Sequence, residues 1–367
     1  MRILFAGGGT GGHLYPGLAI ARALRRIRND VDPFFIGAMR GIERDVLPGT
    51  EFPHELLDLH PLYRARPWEN WKTLRGAVSA WKGISGIVRS SPPATVVGTG
   101  GYASGLALAF ARMHGLPYII QEQNSFPGLT TRFFARHARQ VHLGFPEAAS
   151  RLRPGRTTQI FDTGNPIEPP PPTRPGRAEA RERWGFPATG GRVMLIYGGS
   201  QGSKAINDVV ATWVRGTIPE KLHVIWATGQ KTHADYSMLE SERVRIRAYL
   251  SPVSDAYAAA DFALSRGGAM ATAELCAWGI PPIIVPLPTA AADHQTANAH
   301  ALSAAGAGEF IPQNGLTAET LDASVRRLLE EPGLLEERSR AVTRRARPDA
   351  ADAIARHILS VGAEISS

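Results

Sequence analysis

Short apolar segments alternate with amphipathic stretches along the whole chain. The apolar segments are largely uninterrupted and occur at residues 2–6, 95–97, 118–120, 193–197, 224–226, 262–264 and 282–285. Uninterrupted apolar strands are typical of a parallel sheet covered by helices on both faces, because both sides of each strand are then buried. The pattern therefore predicts an α/β fold built on parallel sheets.

The same order of elements recurs in both halves of the chain: an apolar strand, a glycine-rich loop and a helix. In the first half, the helix is expected to begin near Pro16 or Gly17. Between the halves, residues 164–172 (GNPIEPPPP) can form neither a helix nor a central strand, because proline fixes φ and lacks an amide hydrogen. We therefore predict two domains, residues 1–165 and 166–348.

Glycine-rich or polar loops follow the predicted strands of both halves, at residues 7–13, 98–102, 121–124, 198–202 and 265–268. In parallel α/β sheets, ligands bind beyond the carboxyl ends of the strands. Each of these loops comes directly after a strand, so each is expected at a ligand-binding edge. Two such domains facing one another would place the binding site in a cleft between them.

Composition narrows the class of protein without identifying its partner. The 367 residues suit two domains, and no apolar run approaches the roughly 20 residues that cross a bilayer. A single cysteine, Cys276, excludes an internal disulfide, which fits a reducing compartment. The net charge of +8 favours an anionic partner and leaves open nucleic acid, an acidic lipid surface or a phosphorylated substrate.

The first glycine-rich loop matches the dinucleotide fingerprint at Gly7, Gly9 and Gly12. An NAD site also needs an acidic residue at the carboxyl end of the second strand. Asp30 and Asp32 precede that strand instead, which argues against NAD. The two aspartates also form an Asp-x-Asp pair, a metal site in some enzymes, but their place before the strand favours solvated carboxylates in a turn.

The second glycine-rich loop, residues 199–204 (GSQGSK), differs from an ATP-binding P-loop because Ser203 separates the glycine from the lysine. Such a loop can still bind phosphate without a metal, through backbone N–H groups at the start of a helix. Ser200 would add a hydroxyl donor. Equivalent loops in both halves favour phosphate binding over two plain turns.

His13 ends the first glycine-rich loop. A histidine, with its reference pKa near 6.5, suits a general base that takes a proton from a hydroxyl group near neutral pH. A helix N-terminus would favour the neutral imidazole. Glu122 or another carboxylate is the expected orienting group. The alternative is an ordinary histidine at a helix start.

Two polar segments of the second half also carry candidate binding groups. Glu274 is expected on the second turn of a helix that starts near Ala269, where a carboxylate can accept both hydroxyls of a ribose. A surface glutamate is the alternative. Residues 293–298 (DHQTAN) offer amides for a polar ring, and no other ligand stands at a spacing that would make His294 a metal site.

In their order along the chain, these segments resemble the MurG family, the peptidoglycan enzymes that convert lipid I to lipid II. The matching motifs cover nearly the whole chain and are residues 8–13, 100–105, 122–124, 164–166, 198–202, 266–274 and 293–295. The resemblance implies the GT-B fold, in which domain 1–165 binds the acceptor and the membrane and domain 166–348 binds UDP-GlcNAc. It also implies that a C-terminal helix of about residues 349–361 packs back on the first domain.

The reaction implied by the resemblance is inverting transfer of GlcNAc from UDP-GlcNAc to the C4 hydroxyl of MurNAc in lipid I, without a cofactor or metal. His13 is the candidate base. The positions implied for the acceptor side and transferred sugar are Thr10, Gly11, Gly12, Tyr102, Glu122 and Asn124. Those implied for the donor are Ser200 and Gln201 (pyrophosphate), Leu250 (uracil, through the backbone), Glu274 (ribose), Gln295 (GlcNAc hydroxyls), Arg266, Ala269 and Met270.

Two positions depart from the family pattern. Gln121 stands where many members carry histidine, and both side chains form hydrogen bonds. Glu168 stands where many members carry an arginine that helps to bind the donor. A carboxylate cannot stabilise a pyrophosphate, so the positive charge is expected from Arg266 or Lys204 instead.

Residues 68–89 predict a basic amphipathic helix, because Trp71, Leu74, Val78, Trp81 and Val88 recur at helical spacing between basic residues. Such a helix is typical of binding to anionic lipid. The resemblance implies that this lipid surface is the cytoplasmic face of the bacterial inner membrane. The alternative is that the stripe packs into the core of the first domain. The residues expected at the membrane are Trp68, Trp71, Lys72, Arg75, Trp81 and Lys82.

The sequence offers three alternative functions. A GT-B glycosyltransferase with another acceptor is disfavoured by the match around Tyr102 and Asn124. A nucleic-acid-binding or scaffold protein is suggested by the pI of 9.9, but no recognition helix, RNA-binding aromatic motif or zinc finger is present, so no nucleic acid is expected as a partner. Glu168 leaves open a catalytically inactive relative.

Overall fold

The computed structural model describes residues 1–60, 68, 70–199, 201–216 and 218–366, and only the backbone of residues 70, 72 and 362–366. Ser200 and the side chain of Lys72, both predicted at binding surfaces, lie outside this description. The chain forms two compact units. The first is Met1–Glu168 together with the chain from Asp349 onward, and the second is Pro169–Pro348.

Parallel strands form the centre of both units. Their bounds are β1 Arg2–Gly7, β2 Asp32–Ala38, β3 His54–Leu57, β4 Thr95–Gly100, β5 Tyr118–Glu122, β6 Gln140–Leu143, β7 Gln159–Asp162, β8 Arg192–Tyr197, β9 Leu222–Ala227, β10 Val244–Arg247, β11 Phe262–Ser265, β12 Pro282–Ile284 and β13 Glu309–Phe310. In the described part of the chain the sheet orders are β3-β2-β1-β4-β5-β6-β7 and β10-β9-β8-β11-β12-β13. The predicted α/β class with parallel sheets is confirmed.

Helices cover both faces of each sheet. Their bounds are α1 Gly11–Ile27, α2 Glu43–Val46, α3 Asn70–Ser90, α4 Gly101–Met113, α5 Leu129–Phe134, α6 Arg177–Arg183, α7 Lys204–Arg215, α8 His233–Tyr236, α9 Val253–Ala259, α10 Ala269–Trp278, α11 His294–Ala304, α12 Ala318–Glu330, α13 Leu334–Arg345 and α14 Ala350–Ser366. The C-terminal helix α14 belongs to the first unit, where it packs against α1. None of the helices in the described ranges has the length and apolar character needed to span a bilayer.

Strand β1 shows why the central strands are apolar on both sides. Ile3 and Phe5 belong to a core cluster with residues of α1 and α14, whereas Leu4 and Ala6 belong to a cluster with residues of α3 and α4. Successive side chains of a strand point to opposite faces, so a strand between two helical layers needs apolar residues at every position.

The first helix begins earlier than predicted. Helix α1 starts at Gly11, and Pro16 lies inside it rather than at its start. Pro16 is the sixth residue of the helix, so the amide hydrogen that it lacks removes a single intrahelical bond, the one to the carbonyl of Gly12. The end of the glycine-rich loop is therefore the first turn of α1, with His13 as its third residue.

Candidate active site

In the first unit, the loops after β1, β4 and β5 lie at the carboxyl ends of neighbouring strands. The His13 ring lies directly against the backbone of Gly100 and Gly101, where φ is 102° and 76°. A Cβ added at Gly100 would lie 2.6 Å from His13 Nδ1. Glycine is therefore required here both for the positive φ and for the space that the ring occupies.

A neutral amide, not a carboxylate, holds the His13 ring. Gln123 Oε1 lies 3.0 Å from His13 Nδ1. The Gln123 side chain is almost fully buried, and its Nε2 donates to the carbonyl of Thr99 at 2.7 Å. The Thr99 hydroxyl in turn donates to the carbonyl of His13 at 2.7 Å. Sequence reasoning missed Gln123, because a glutamine just after a strand carries no signal of this role.

Glu122 does not orient His13, so the prediction of a carboxylate as the orienting group is wrong. Its buried carboxylate accepts hydrogen bonds from the backbone N–H of Asn124 (3.0 Å) and of Gly128 (3.0 Å). It also accepts from the hydroxyl of Thr131 at 2.5 Å. All of these donors belong to the loop between β5 and α5 or to the first turns of α5. Glu122 therefore shapes the loop that presents Asn124.

A second buried carboxylate, Glu43, lies under the first glycine-rich loop and was also missed from the sequence. Its Oε1 accepts from the N–H of Gly9 at 2.9 Å and from that of Ala38 at 3.3 Å. A Cβ added at Gly8 would lie 1.6 Å from this oxygen, and one at Gly9 would lie 2.8 Å from the Tyr102 ring. The glycines thus admit a carboxylate on one side and the predicted residue Tyr102 on the other.

In the second unit, Arg266 lies beneath the loop that precedes α7. Its guanidinium donates to Ser203 Oγ and Gln313 Oε1, both at 2.7 Å, and to the carbonyls of Val285 and Pro286 at 3.1 and 2.9 Å. Burial lowers the pKa of Arg266. Its partners in the described residues are neutral oxygens, so a positive charge remains close to the N-terminus of α7.

Lys204 is less suited to bind an anion. Its Nζ lies 2.8 and 2.7 Å from the two carboxylate oxygens of Asp208. Beside it, Gln201 is exposed. A Cβ added at Gly202 (φ 74°) would lie 2.3 Å from the carbonyl of Thr228. Of the two cations predicted from the sequence, Arg266 is the one without an acidic partner in the described residues.

Glu274 lies on the second turn of α10, as predicted, and Tyr257 of α9 holds its carboxylate. The Tyr257 hydroxyl donates to Glu274 Oε2 at 2.7 Å. Burial is the first cause that raises the pKa of Tyr257, so the phenol keeps its proton and acts as the donor. The Glu274 carboxylate is thereby fixed in direction while the side chain remains partly exposed.

The other predicted donor residues lie around the same edge of the sheet. Ala269 begins α10 and is buried, whereas Met270 is partly exposed. Gln295 Oε1 accepts from the N–H of Leu287 at 3.0 Å, which directs the amide NH₂ away as a donor. The Leu250 side chain belongs to the core, so only its backbone can serve a ligand.

The Asp-x-Asp pair is part of ordinary ion pairs. Asp30 bonds with Arg28 at 2.7 Å, and Asp32 with Arg2 at 2.8 Å, both at the amino end of β2. Within the described ranges, no group of three or more potential metal-ligating side chains comes together.

Both units match known protein families. Residues 3–143 match the glycosyltransferase family 28 N-terminal domain, and residues 193–354 match the glycosyltransferase family 28 C-terminal domain. A protein of Prosthecochloris aestuarii named UDP-N-acetylglucosamine–N-acetylmuramyl-(pentapeptide) pyrophosphoryl-undecaprenol N-acetylglucosamine transferase is 38% identical over 365 residues, 96% of each chain. A protein of the same name from Salinibacter ruber is 37% identical over 98% of this chain and 96% of its own.

The crystal structure of Acinetobacter baumannii MurG superposes with a TM-score of 0.77 at 26% identity and covers 98% of this chain and 99% of that one. The chain belongs to the MurG family. Its two parallel-sheet units are those of the GT-B glycosyltransferase fold, as the resemblance implied.

The two departures from the MurG pattern lie in different environments. Gln121 is fully buried, and its Nε2 donates to Asn165 Oδ1 at 3.2 Å. Glu168 is exposed at the end of the continuous part of the first unit. The first departure belongs to the hydrogen-bonded surroundings of His13.

The predicted membrane stripe of this MurG relative divides along helix α3. Large apolar side chains are exposed at and before its start, with 72% of Trp68, 59% of Trp71, 70% of Leu74 and 54% of Val78 accessible. Trp81 is a correction, because its ring packs 4.9 Å from that of Phe110 and 5.9 Å from that of His114, inside the unit. The predicted cations Arg75 and Lys82 are exposed.

Proposed function

We propose that the chain transfers GlcNAc from UDP-GlcNAc to the C4 hydroxyl of MurNAc in lipid I, the undecaprenyl-pyrophosphoryl-MurNAc-pentapeptide, to give lipid II for peptidoglycan. The observation that carries the proposal is similarity over nearly the full length to relatives that bear the name of this transferase, at 38% and 37% identity. The loops around His13 in the first unit and those around Arg266 and Glu274 in the second unit support it.

On the acceptor side, His13 acts as the general base. Its Nε2 takes the proton of the C4 hydroxyl while that oxygen forms a bond to the anomeric carbon of GlcNAc. The bond between this carbon and the UDP oxygen breaks, UDP leaves with the electron pair, and the configuration inverts. Thr10, Gly11, Gly12, Tyr102 and Asn124 surround the acceptor and the transferred sugar.

On the donor side, the negative charge that develops on UDP is met by the first turns of α7 and α10, where backbone N–H groups and the helix dipole favour anions. Gln201 and the buried Arg266 contribute there. Glu274 accepts the ribose hydroxyls, Gln295 donates to hydroxyls of GlcNAc, and the backbone near Leu250 meets the uracil. No cofactor is required.

The lipid part of the acceptor calls for contact with a membrane. We assign this to the exposed surface formed by Trp68, Trp71, Leu74 and Val78 with the cations Arg75 and Lys82. Exposed tryptophans beside cations are suited to the interface of an anionic bilayer. The protein would then act peripherally at the cytoplasmic face of the inner membrane, without nucleic acid as a partner.

The test is transfer of radiolabel from UDP-GlcNAc to a lipid I analogue by the purified chain. His13→Ala and Glu274→Ala should each lower the rate strongly, and Lys221→Ala, an exposed lysine distant in sequence from these loops, should not. Absence of transfer by the wild type with bound UDP would mean another acceptor or an inactive relative. Absence of UDP binding would overturn the donor site as well.

A further inference from the structure

The orientation of the Gln123 amide follows from its surroundings. Its Nε2 lies 2.7 Å from the Thr99 carbonyl, 3.2 Å from the Gln121 carbonyl and 2.5 Å from Gln121 Oε1. All three neighbours accept hydrogen bonds and none donates through these atoms. The opposite orientation would place the Gln123 oxygen against three oxygens in a buried site, where an unsatisfied polar group costs about 1–3 kcal/mol. Oε1 is therefore the atom that faces His13.

Two further amides complete this arrangement. Gln121 Nε2 donates to Asn165 Oδ1 at 3.2 Å, and Asn165 Nδ2 donates to the Gln123 backbone carbonyl at 3.0 Å. Gln121, Gln123 and Asn165 are each no more than 2% exposed. Reversing any one of the three would bring two donors or two acceptors together. The hydrogen bonds therefore run in one direction, from His13 through Gln123 and Gln121 to Asn165.

This direction decides which nitrogen of His13 carries the proton. Nδ1 faces an oxygen that can only accept, so Nδ1 must carry hydrogen. In the neutral ring, Nε2 then keeps the lone pair. We propose that Gln123, supported by Gln121 and Asn165, is a positioning residue that holds His13 in the Nδ1–H tautomer with Nε2 as the base. The proposal rests on the proposed function, in which His13 removes the acceptor proton.

The choice of a neutral amide has a chemical consequence. A carboxylate in this place would favour the charged imidazolium, as in enzymes where an acid backs the histidine. Glutamine selects the same tautomer without a negative charge. Gln123 therefore orients the base without placing a negative charge beside it. Such a charge would stabilise His13 in the protonated form after it has taken the proton from the acceptor.

The tautomer is measured directly by ¹⁵N–¹H correlation NMR of the full chain labelled with ¹⁵N-histidine, with the His13 signals assigned through their loss in His13→Ala. The expected result above the titration range is an Nδ1–H ring, the opposite of the Nε2–H form that free histidine favours. Gln123→Met removes both amide groups at similar length and should shift the ring toward Nε2–H. An Nε2–H ring in the wild type overturns the proposal.

Kinetics provide the second test. Gln123→Met should lower kcat by up to about 10²–10⁴-fold, the range that a positioned general base contributes, and leave the KM for UDP-GlcNAc nearly unchanged. Gln123→Glu should move the acidic limb of the pH–rate profile to higher pH, because a negative charge then stands beside Nδ1. If kcat falls equally in Gln123→Met and in a matched control, and in proportion to the decrease in Tm, the role of Gln123 is merely structural.

The matched control is Gln140→Met. Gln140 is also a buried glutamine beside a histidine, with Oε1 3.2 Å from His142 Nε2 and Nε2 donating to the His357 carbonyl at 3.1 Å. Gln140 contributes to the packing of α14. The Gln140→Met variant should therefore lower Tm without changing kcat. If the wild type transfers no GlcNAc, the proposed function fails, while the NMR measurement still decides the tautomer.

Discussion

Single residues of the candidate site depend on buried polar neighbours that make no predicted contact with substrate. Gln123 behind His13, Glu43 under Gly9 and Tyr257 behind Glu274 each fix one group in direction. A directed group loses less freedom on binding than a mobile one, so such neighbours contribute to affinity or rate without touching the ligand.

Tyr257→Phe tests this at the donor side. The variant removes the hydroxyl that donates to Glu274 and keeps the buried ring. Because Glu274 is partly exposed and water can replace the donor, we expect a loss of about 1 kcal/mol, or about fivefold in the KM for UDP-GlcNAc, with little change in kcat. In a Glu274→Ala background the substitution should have no further effect. An equal effect in both backgrounds would contradict the assignment.

Among the elements, α14 meets the first sheet through aromatic rings. His142 of β6, Phe161 of β7 and His357 of α14 stack in sequence, with ring centroids 5.2 Å (His142–Phe161) and 4.1 Å (Phe161–His357) apart. Burial lowers the pKa of His142 to about 3, and burial also lowers the pKa of His357. The packing of this helix therefore favours uncharged histidines.

Acid should destabilise the chain through this cluster. The unfolded chain binds a proton at His142 below a pKa near 6.5, whereas the folded chain resists it until pH falls to about 3. This contribution to stability is thus complete above pH 6.5 and falls at lower pH, with a limiting slope of about 1.4 kcal/mol per pH unit. Urea unfolding between pH 5 and 7 measures it. His142→Phe should reduce the slope, and an unchanged slope would show that other groups cause it.

The apolar stripe of helix α3 is exposed at Leu74 and packed against the first unit at Trp81, which predicts two different effects. Leu74→Ser should weaken binding to phosphatidylglycerol vesicles by about tenfold, from the loss of roughly 1.5 kcal/mol of apolar burial, and leave Tm unchanged. Trp81→Ala should lower Tm, because Trp81 packs on Phe110. Sedimentation with vesicles and thermal unfolding separate the two effects. Met238→Ser, at an equally exposed position of the second unit, is the control and should retain binding.

For the whole molecule, the assignments place donor groups in the second unit and the base in the first. UDP at a hundred times its Kd should stabilise the full chain by about 2.7 kcal/mol, seen as a higher Tm. Glu274→Ala should diminish this stabilisation, and His13→Ala should leave it intact. A scaffold protein would show no stabilisation by UDP. Loss of the UDP effect in His13→Ala would contradict the division of roles.

Much of this protein was predictable from its sequence alone. Uninterrupted apolar strands and the glycine-rich loops after them indicated parallel sheets and the edges where ligands bind, because these depend on local periodicity and on proline and glycine. The ordered motifs identified the family. The start of α1 was predicted too late, since Pro16 was interpreted as a boundary, whereas it lies in the second turn of the helix, where it removes one backbone hydrogen bond.

Only the tertiary structure decided which side chains act together. Gln123 meets His13 across 110 positions of sequence, and Asn165 meets Gln121 across 44. On one helical stripe, Leu74 is exposed and Trp81 is partly buried, because the ring of Trp81 packs on Phe110 of α4. Hydrogen-bond direction and burial are properties of neighbours brought together by folding. Periodicity along the chain predicts which residues of one helix or strand share a face. It does not predict which residues of other elements pack against that face.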